Sequence, residues 1–519
     1  MKVKTLSGFL LVAALAAVVL AGCGGEGAEA EIEKTVTIAR GTDAETLDTG
    51  YAWSEAEIDI MYHMYEGLVR YADDELNVEP SLAESWEVSD DGTVWTFDLR
   101  DDVMFHDGTE FNAEAVVFSY KRLIDEDHPY HGLGDFSSFE YLFGDAVEDV
   151  RAVDDYTVEF TLADRFAPFL MYMGFYSQFI VSPSAVEEHG EDFFRNPVGT
   201  GPFEFREWQR DEEVVIEKYD DYWGEEPEID SIVWKVVPED STRLLEIQAG
   251  EVDIIKNILP EQLETVEEDE ELELVQVTGA NLFFGSINHE IEPFDDVRVR
   301  RAVSHAIDSE SLVDSVYGGL GTPAVNPMPE TVLGYNDDIE PYEYDPERAR
   351  ELLADAGYPD GFETEIHVFE EPRVYIGRPV DAAEILRDNL REVGIDADVI
   401  VNEWGTHFAS MRDYEHSIGL IGWYDIGHPH NFLKVMLIDS ALTQYADMDR
   451  LSELASSALT TYDEDEQVDY YGEMQEIIHE DAVLLNLAHS DYTAVIRDNV
   501  SGFELDSLGT ANLLNVNIE

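Results

Sequence analysis

The sequence predicts an α/β fold, because short strand-like runs alternate with well-marked helices along almost the whole chain. Residues 94–99 alternate between apolar and polar side chains directly after a turn signal at residues 90–92, which is typical of a hairpin strand. Asn112 then precedes a helix whose residues 116–124 carry apolar side chains at helical spacing.

Two later helices are delimited just as clearly. Asp345 is a helix N-cap with Pro346 at the first helical position, and Gly357 ends that helix. A further helix is predicted over residues 379–393, closed by Gly394. No repeat of roughly 20–50 residues is visible. The alternation continues almost to the last residue, so we expect no separate regulatory domain.

Composition excludes several classes of protein. The chain has 519 residues, which suggests two to four domains, and its formal net charge is −85, from 30 Lys plus Arg against 115 Asp plus Glu. Hydrophobic residues make up 44%, enough for a core, which disfavours acidic disorder. No basic patch is available to neutralise phosphates, so we expect no nucleic-acid partner. The one cysteine, Cys23, excludes a disulfide scaffold.

The first residues have the pattern of a secretory signal. Lys2 and Lys4 precede an apolar run at residues 9–20, which is shorter than the about 20 residues of a comfortable membrane span. Leu-Ala-Gly-Cys at residues 20–23 resembles a bacterial lipobox, which implies cleavage after residue 22 and lipidation of Cys23. The alternative is an ordinary signal peptide with an incidental cysteine.

The lipid anchor would hold the protein on the outer face of the cell membrane, with residues 23–33 as an acidic tether. A net charge of this size opposes compaction at low ionic strength. At molar salt the screening length falls to about 3 Å and most of the repulsion disappears. We therefore hypothesise an exported protein of a salt-loving organism.

Six blocks of sequence resemble the family 5 extracellular solute-binding proteins, the peptide-binding lipoproteins of ABC importers. The blocks lie at residues 81–92, 99–119, 197–203, 250–254, 293–300 and 344–361, in the family's order. The resemblance covers practically the whole chain after the tether. Each block also has an ordinary structural meaning, such as a turn at Asp107-Gly108, so the blocks identify the family without identifying a ligand.

The resemblance implies a type II periplasmic-binding-protein fold, in which two lobes close around a cleft by a hinge motion and a third, extra domain is added. The expected limits are 1–22 for the signal, 23–33 for the tether, 34–63 with 199–285 and 500–519 for the first lobe, 64–198 for the extra domain, and 286–499 for the second lobe.

An arginine is the first candidate ligand residue. In dipeptide-binding members, an Arg in a Pro-Arg-Pro-Tyr stretch binds the carboxylate of the peptide, and here residues 372–375 read Pro-Arg-Val-Tyr. The resemblance therefore points to Arg373, with Tyr375 beside it. A planar guanidinium suits the task, because it can donate two parallel hydrogen bonds to a carboxylate. The alternative is a surface arginine paired with one of the many acids.

The second set of candidates comes from two tryptophan motifs. Dipeptide-binding members pair the ligand ammonium with an Asp that follows a Gly-Trp pair, and the match here is Asp425 after Trp423. This segment is one residue shorter than the family pattern. The match at residues 403–405 adds Trp404 and Gly405, where an aromatic wall supplies contact area without one fixed hydrogen-bond pattern. A tryptophan in this position is otherwise a core residue.

Two histidines replace acids of the family pattern. His428 and His430 form a His-x-His loop, and nickel-complex-binding relatives have a Pro-His pair that His430 matches. We favour histidines that fill the pocket floor or bind backbone groups, with a metal site as the weaker alternative. No sequence motif of a hydrolase, kinase or dinucleotide enzyme is present, so we expect neither an enzyme nor a cofactor.

The expected function is capture of dipeptides or short oligopeptides by a monomer outside the cell and their delivery to an ABC permease. The alternatives are the same fold with a metal chelate, haem or other small solute, a secreted hydrolase, or a receptor-docking sensor. A dipeptide backbone spans only about 7 Å. Arg373 and Asp425 can bind its two ends only if the fold brings them that close.

Overall fold

The computed structural model describes residues 34–519 except 53, 73–74, 134–136, 441, 444 and 446. The predicted signal peptide, Cys23 and the tether lie outside these described residues. Within the described part of the chain, no helix combines the length and the apolar character that crossing a bilayer requires.

One large sheet of 12 strands organises the fold. Its first strand group consists of Thr35–Arg40, Phe203–Gln209, Glu213–Lys218, Ser231–Val236, Ile254–Lys256 and Leu272–Thr278. Its second strand group consists of Asn281–Ile287, Gly321–Pro323, Phe362–Phe369, Ile395–Asn402 and Ile418–Tyr424. The strand Leu484–Arg497 pairs with both groups and joins them.

A separate four-stranded sheet lies inside the predicted extra domain. Its strands, in spatial order, are Ala83–Val88, Val94–Leu99, Thr157–Leu162 and Val147–Asp154. The predicted hairpin strand is confirmed: Val94–Leu99 pairs antiparallel with the strand before it, and Gly92 has a φ of 78° in the turn. Three short two-stranded pairs complete the strands: Val69–Ala72 with Glu75–Pro80, Val500–Ser501 with Asn517–Ile518, and Glu504–Leu505 with Ala511–Asn512.

Helices fill the chain between the strands and cover the sheets. The α-helices are Glu55–Met64, Ala113–Ile124, Ser137–Phe143, Phe169–Tyr172, Pro183–His189, Asp240–Ala249, Leu263–Glu267, Val297–Ala306, Ser309–Tyr317, Pro346–Ala356, Pro379–Glu392, Trp404–Arg412, Met448–Thr460 and Glu464–Glu480. A π-helix spans Asn431–Asp439, and short 3-10 helices span His131–Leu133, Tyr176–Gln178, Gly190–Arg195 and Pro260–Gln262. This alternation of strands and helices confirms the predicted α/β class.

The predicted helix ends are confirmed by their local contacts. The Asn112 side chain accepts a hydrogen bond from the Ala115 backbone N–H at 3.1 Å. The Asp345 carboxylate accepts the backbone N–H groups of the first turn, and Gly357 ends that helix with a φ of 100°. The helix predicted over 379–393 spans Pro379–Glu392.

The backbone crosses between the two strand groups at two adjacent points. Leu272–Thr278 pairs with residues 491–497, whereas Asn281–Ile287 pairs with residues 484–488 and with Ile418–Tyr424. The crossings therefore lie near residues 279–280 and 490–491. The predicted lobe limits, at 285 and 499, stay a prediction, and the strand pairing changes five to nine residues before them.

A buried asparagine holds the two crossings together. The Asn281 side-chain amide donates to the Ser490 carbonyl at 2.9 Å and accepts from the Ser490 backbone N–H at 2.9 Å. Asn281 is fully buried, so both bonds are shielded from water. The Arg373 loop and Asp425 are both hydrogen-bonded to these crossings, through Ser490 and Ala280.

Candidate functional site

Arg373 lies in a tight loop fixed to the second crossing. Its backbone exchanges two hydrogen bonds of 2.9 Å with Ile376, and the Ser490 hydroxyl donates to the Val374 carbonyl at 2.9 Å. The guanidinium carbon lies 3.8 Å from the centre of the Trp404 ring. A cation held against an aromatic face is attracted to it and keeps one orientation.

The Arg373 guanidinium has no carboxylate partner among the described residues, although the chain has 115 acids. Its Nε atom is buried and makes no hydrogen bond within the described part of the protein. Buried polar groups nearly always have a partner, so an unpaired guanidinium marks a place for an acceptor. The arrangement differs from that of a surface arginine paired with an acid.

Trp404 begins the helix Trp404–Arg412 and forms the support on which Arg373 rests. Its ring packs edge-on against Phe369, with ring centres 5.3 Å apart, and stacks with Phe408 at 5.7 Å. The side chain is half-buried, so it contributes both to the core and to the surface beside Arg373. The Gly405 backbone N–H donates to the Glu403 carboxylate at 3.0 Å, which caps the helix.

Tyr375 lies in the core directly beneath this loop and is only 3% exposed. Its ring occupies the space where any side chain at residue 422 would begin, which explains why a glycine stands there. The Tyr375 carbonyl accepts a hydrogen bond from the Tyr317 hydroxyl at 2.7 Å. Tyr375 is placed to position the Arg373 loop, and direct ligand contact by Tyr375 or Gly405 stays a prediction.

Asp425 follows the strand Ile418–Tyr424 and has four neutral hydrogen-bond donors. Its Oδ1 accepts from the Ile426 backbone N–H at 2.7 Å and from the Asn431 amide. Its Oδ2 accepts from the Trp423 indole N–H at 3.1 Å and from the Tyr141 hydroxyl. No cation of the described residues forms an ion pair with Asp425, and burial raises the pKa of its carboxyl. A buried anion without a counter-ion favours a positively charged ligand group.

Tyr424 connects the two candidate charges. Burial raises the pKa of its phenol; the Asp425 carboxylate adds to the rise, whereas the Arg373 guanidinium opposes it. Both charges therefore lie within electrostatic reach of one side chain. The same side chain is 55% exposed, so solvent-accessible space borders Tyr424. Arg373 and Asp425 thus both lie within electrostatic reach of the space beside Tyr424, which is the arrangement expected for a short zwitterionic ligand.

Sequence reasoning missed a set of tyrosines around this space. Tyr141 and Tyr172 come from the predicted extra domain, and the Tyr172 hydroxyl donates to the Asn431 amide oxygen, which links it to Asp425. Tyr492 comes from the strand that joins the two strand groups. Asn431 lies in the Gly-Trp motif and could have been chosen from it, but no sequence signal distinguishes these tyrosines among the 25 in the chain.

His428 and His430 lie at the contact between this motif and the predicted extra domain, and both are at least 94% buried. The His428 Nδ1 accepts the His430 backbone N–H at 3.0 Å, and burial lowers the pKa of His428 to about 3. The rings pack against Tyr172 and Phe166, with centres 5.9 and 6.1 Å apart. Among the described residues, no group of three or more His, Cys, Asp or Glu side chains is arranged to hold a metal ion.

The chain is similar in sequence to a family of known binding proteins and to individual members of it. Residues 77–443 match the family described as bacterial extracellular solute-binding proteins, family 5 Middle. The chain is 34% identical to a dipeptide-binding protein of Escherichia coli K12 over 477 residues, which cover 88% of this chain and 89% of that protein. It is 33% identical to heme-binding protein A of Haemophilus influenzae, over 88% of this chain and 87% of that protein.

A solved structure of similar sequence has the same architecture. The periplasmic binding protein DppA of Helicobacter pylori, in complex with the peptide STSA, superimposes with a TM-score of 0.74 at 31% identity. The match covers 93% of this chain and 98% of that chain.

Proposed function

The chain belongs to the family 5 bacterial extracellular solute-binding proteins, and from that membership we propose that it captures dipeptides or short oligopeptides and delivers them to an ABC permease. The membership confirms the family resemblance and the periplasmic-binding-protein fold that it implied. Because the family consists of substrate-binding transport proteins, the chain is not an enzyme, which rules against the secreted-hydrolase alternative.

One observation carries the peptide proposal: an unpaired guanidinium and a carboxylate without a counter-ion both act on Tyr424, where Asp425 raises the pKa of the phenol and Arg373 opposes the rise. A peptide with free ends carries one carboxylate and one ammonium, a short distance apart. Arg373 would bind the carboxylate through two parallel hydrogen bonds, and Asp425 would bind the ammonium. Each buried charge then gains the partner that it lacks in the unliganded protein.

The Tyr141 hydroxyl has a defined part in this mechanism. The four donors of Asp425 already occupy the lone pairs of its two oxygens. Among them, Tyr141 alone comes from the predicted extra domain, and its side chain is 38% exposed. An incoming ammonium therefore shares or displaces the Tyr141 hydroxyl. Ligand binding is in this way linked to the contact between the extra domain and the second lobe.

Hinge closure follows from the same arrangement. Arg373 and Asp425 lie in the predicted second lobe, whereas Tyr141 and Tyr172 come from the predicted extra domain. Tyr492 lies within the predicted limits of the second lobe, but it pairs with Val277 of the first strand group. Contacts that form on both sides of a cleft exist only when it is closed, so a ligand shifts the population towards the closed form. The crossings near residues 279–280 and 490–491 are the segments about which the strand groups would move.

A haem or another solute is the second candidate, favoured by the 33% identity to a heme-binding relative. The propionates of haem would suit Arg373. Haem has no ammonium, however, and its binding would leave Asp425 without a cation. His428 and His430 are buried, and burial lowers the pKa of both. This favours the interpretation that they are core histidines. The peptide accounts for both unpaired charges and is therefore preferred.

Blocked peptides test the proposal directly. The protein purified in molar salt is first examined by native mass spectrometry for a co-purified ligand. Calorimetric titrations then compare dialanine with N-acetyl-dialanine, which lacks the ammonium, and with dialanine amide, which lacks the carboxylate. We expect each blocked form to bind at least tenfold more weakly than dialanine. Equal affinity for all three, or binding of haem without peptide, would contradict the proposal.

We also propose that Cys23 is lipidated and anchors the chain on the extracytoplasmic face of the membrane. Family members act outside the cytoplasm, which is consistent with a lipid-anchored form. Metabolic labelling with a fatty acid tests this, because Cys23→Ser should lose the label and be released in soluble form. Retention of the label in that variant would contradict the proposal. A monomeric state is proposed as well and is measured by light scattering in molar salt.

A further inference from the structure

A second carboxylate near the site remains unexplained by binding of a simple dipeptide. Asp506 lies in the turn between the short strands Glu504–Leu505 and Ala511–Asn512. Its Oδ1 accepts the backbone N–H groups of Leu508 at 2.9 Å and Thr510 at 2.7 Å. Two backbone bonds to one oxygen fix the carboxylate group and leave its other oxygen, Oδ2, without a donor from the turn.

The Oδ2 of Asp506 accepts from no donor in the described part of the chain, and no described cation is paired with it. Lys256 contacts the same turn through the Gly509 carbonyl at 2.6 Å. That amine is already paired with Asp59 at 2.7 Å and Glu55 at 2.6 Å. Burial raises the pKa of Asp506 to about 6 against the opposing field of Lys256, and above that pH the carboxylate is charged without an ion-pair partner among the described residues.

Asp506 and Asp425 are tied to the same hinge residue. The Ala280 backbone N–H donates to the Ser507 carbonyl at 2.6 Å, and the Ala280 carbonyl accepts the Asp425 backbone N–H at 3.1 Å. Ala280 belongs to the first crossing between the strand groups. One residue of this crossing is therefore hydrogen-bonded both to the Asp506 turn and to the Asp425 backbone.

Aromatic rings connect the two carboxylates. The Tyr492 ring packs on the Asp506 turn, because a Cβ at Gly509 would lie 2.7 Å from it. Burial raises the pKa of Tyr492, and both Tyr424 and Asp506 add to that rise. Burial also raises the pKa of Tyr71, to which Asp506 and Asp425 both contribute. Asp506 thus lies within electrostatic reach of Tyr492, as Tyr424 does, and of Tyr71, as Asp425 does.

The charges around this space do not balance for a peptide with neutral side chains. Among the described groups within electrostatic reach of Tyr424, Tyr492 or Tyr71, the carboxylates Asp425 and Asp506 have no ion-pair partner, and the one guanidinium that lacks a carboxylate is Arg373. A neutral zwitterion would pair with Arg373 and Asp425 and leave Asp506 alone. A ligand with one additional positive charge satisfies all three groups. The tyrosine rings beside Asp506 suit the aliphatic stem and the cationic end of a long basic side chain.

We propose that Asp506 binds a cationic side chain of the ligand, so that the protein selects short peptides containing lysine, arginine or another amine-bearing residue. The inference rests on the proposed function, and it assigns the substrate class of that same site. Asp506 acts as a specificity-determining residue, separate from the groups that hold the two ends of the peptide.

The test compares side chains of equal length with and without charge. Lys-Ala and Ala-Lys are titrated against norleucyl-alanine and alanyl-norleucine in molar salt at pH 7.5, by calorimetry, with the full-length protein. In the unmodified protein we expect the better lysine peptide to bind at least tenfold more tightly than its norleucine counterpart. In Asp506→Asn we expect this ratio to fall below threefold.

Asparagine retains the Oδ1 acceptor for Leu508 and Thr510, so the turn is conserved in the variant. Asp498→Asn, an exposed acid of the same carboxyl-terminal region, is the matched control and should keep the full ratio. Equal affinity for lysine and norleucine peptides in the unmodified protein, or an unchanged ratio in Asp506→Asn, overturns the inference and leaves peptide binding intact. Failure of every peptide to bind, dialanine included, overturns the proposed function itself.

Discussion

Replacement of Arg373 by alanine should separate ligand affinity from fold stability. The guanidinium rests on Trp404 at 3.8 Å and pairs with no described carboxylate, so its removal costs the unliganded protein only the aromatic contact, about 0.5–2 kcal/mol. In the complex, loss of one partner from a buried, hydrogen-bonded charge pair costs about 2–5 kcal/mol. At about 1.4 kcal/mol per factor of ten, dialanine affinity should fall roughly 30-fold to several thousand-fold.

The assay is calorimetric titration with dialanine and with dialanine amide in molar salt, together with urea unfolding of the unliganded protein. Arg373→Ala should lose the ability to distinguish the two ligands, because the missing guanidinium is the group that reads the carboxylate. Arg373→Lys should fall between the two, since an ammonium cannot form the parallel pair of bonds. Arg391→Ala is the control, because Arg391 is exposed and paired with Asp388 at 2.8 Å. Unchanged dialanine affinity in Arg373→Ala would refute the site assignment.

Three further predictions concern the fold and its charges. Gly422→Ala should lower the free energy of unfolding by about 1–3 kcal/mol in urea titrations, because the new methyl group meets the Tyr375 ring. The control Gly405→Ala should lower the free energy of unfolding clearly less, because its methyl group meets only the flexible Glu403 carboxylate. Equal effects of the two substitutions would contradict this packing. The thermal midpoint should rise steeply between 0.1 and about 3 M KCl as screening suppresses the repulsion of the acids, and full stability in dilute buffer would contradict the halophilic hypothesis. Asp506→Asn should stabilise the unliganded protein at pH 8 by roughly 1–2 kcal/mol, because burial raises the pKa of Asp506 to about 6 despite the opposing field of Lys256. The gain should fade as the pH drops from 6 towards 4, where Asp506 becomes protonated in the unfolded chain as well as in the folded protein. A gain independent of pH would contradict this prediction.

Local features of the fold were predictable from the sequence because their causes are local. The caps at Asn112 and Asp345 depend on side chains within three residues of the helix start, and the structure places them as predicted. The crossing near residues 279–280 was not predictable at that position. It depends on the pairing of Asn281–Ile287 with a strand about 200 residues later, and a single sequence does not reveal such pairing.

The residues of the candidate site also differ in whether local sequence or the complete fold identifies them. Arg373, Trp404 and Asp425 lie in short motifs, and sequence reasoning could therefore propose them. Tyr141 and Asp506 lie about 284 and 81 residues from Asp425 along the chain, and only the fold brings them to its surroundings. The sequence also could not predict that Arg373 is unpaired, because the composition of so acidic a chain favours an acid beside every arginine.

The central claim is that Arg373 and Asp425 bind the opposite ends of one short ligand. A crystal structure of the protein grown in high salt with dialanine tests it most directly. Electron density should place the peptide carboxylate in a two-bond contact with the Arg373 guanidinium and the ammonium within about 3 Å of an Asp425 carboxylate oxygen. A peptide bound in the reverse direction, or at a site that touches neither side chain, would contradict the account.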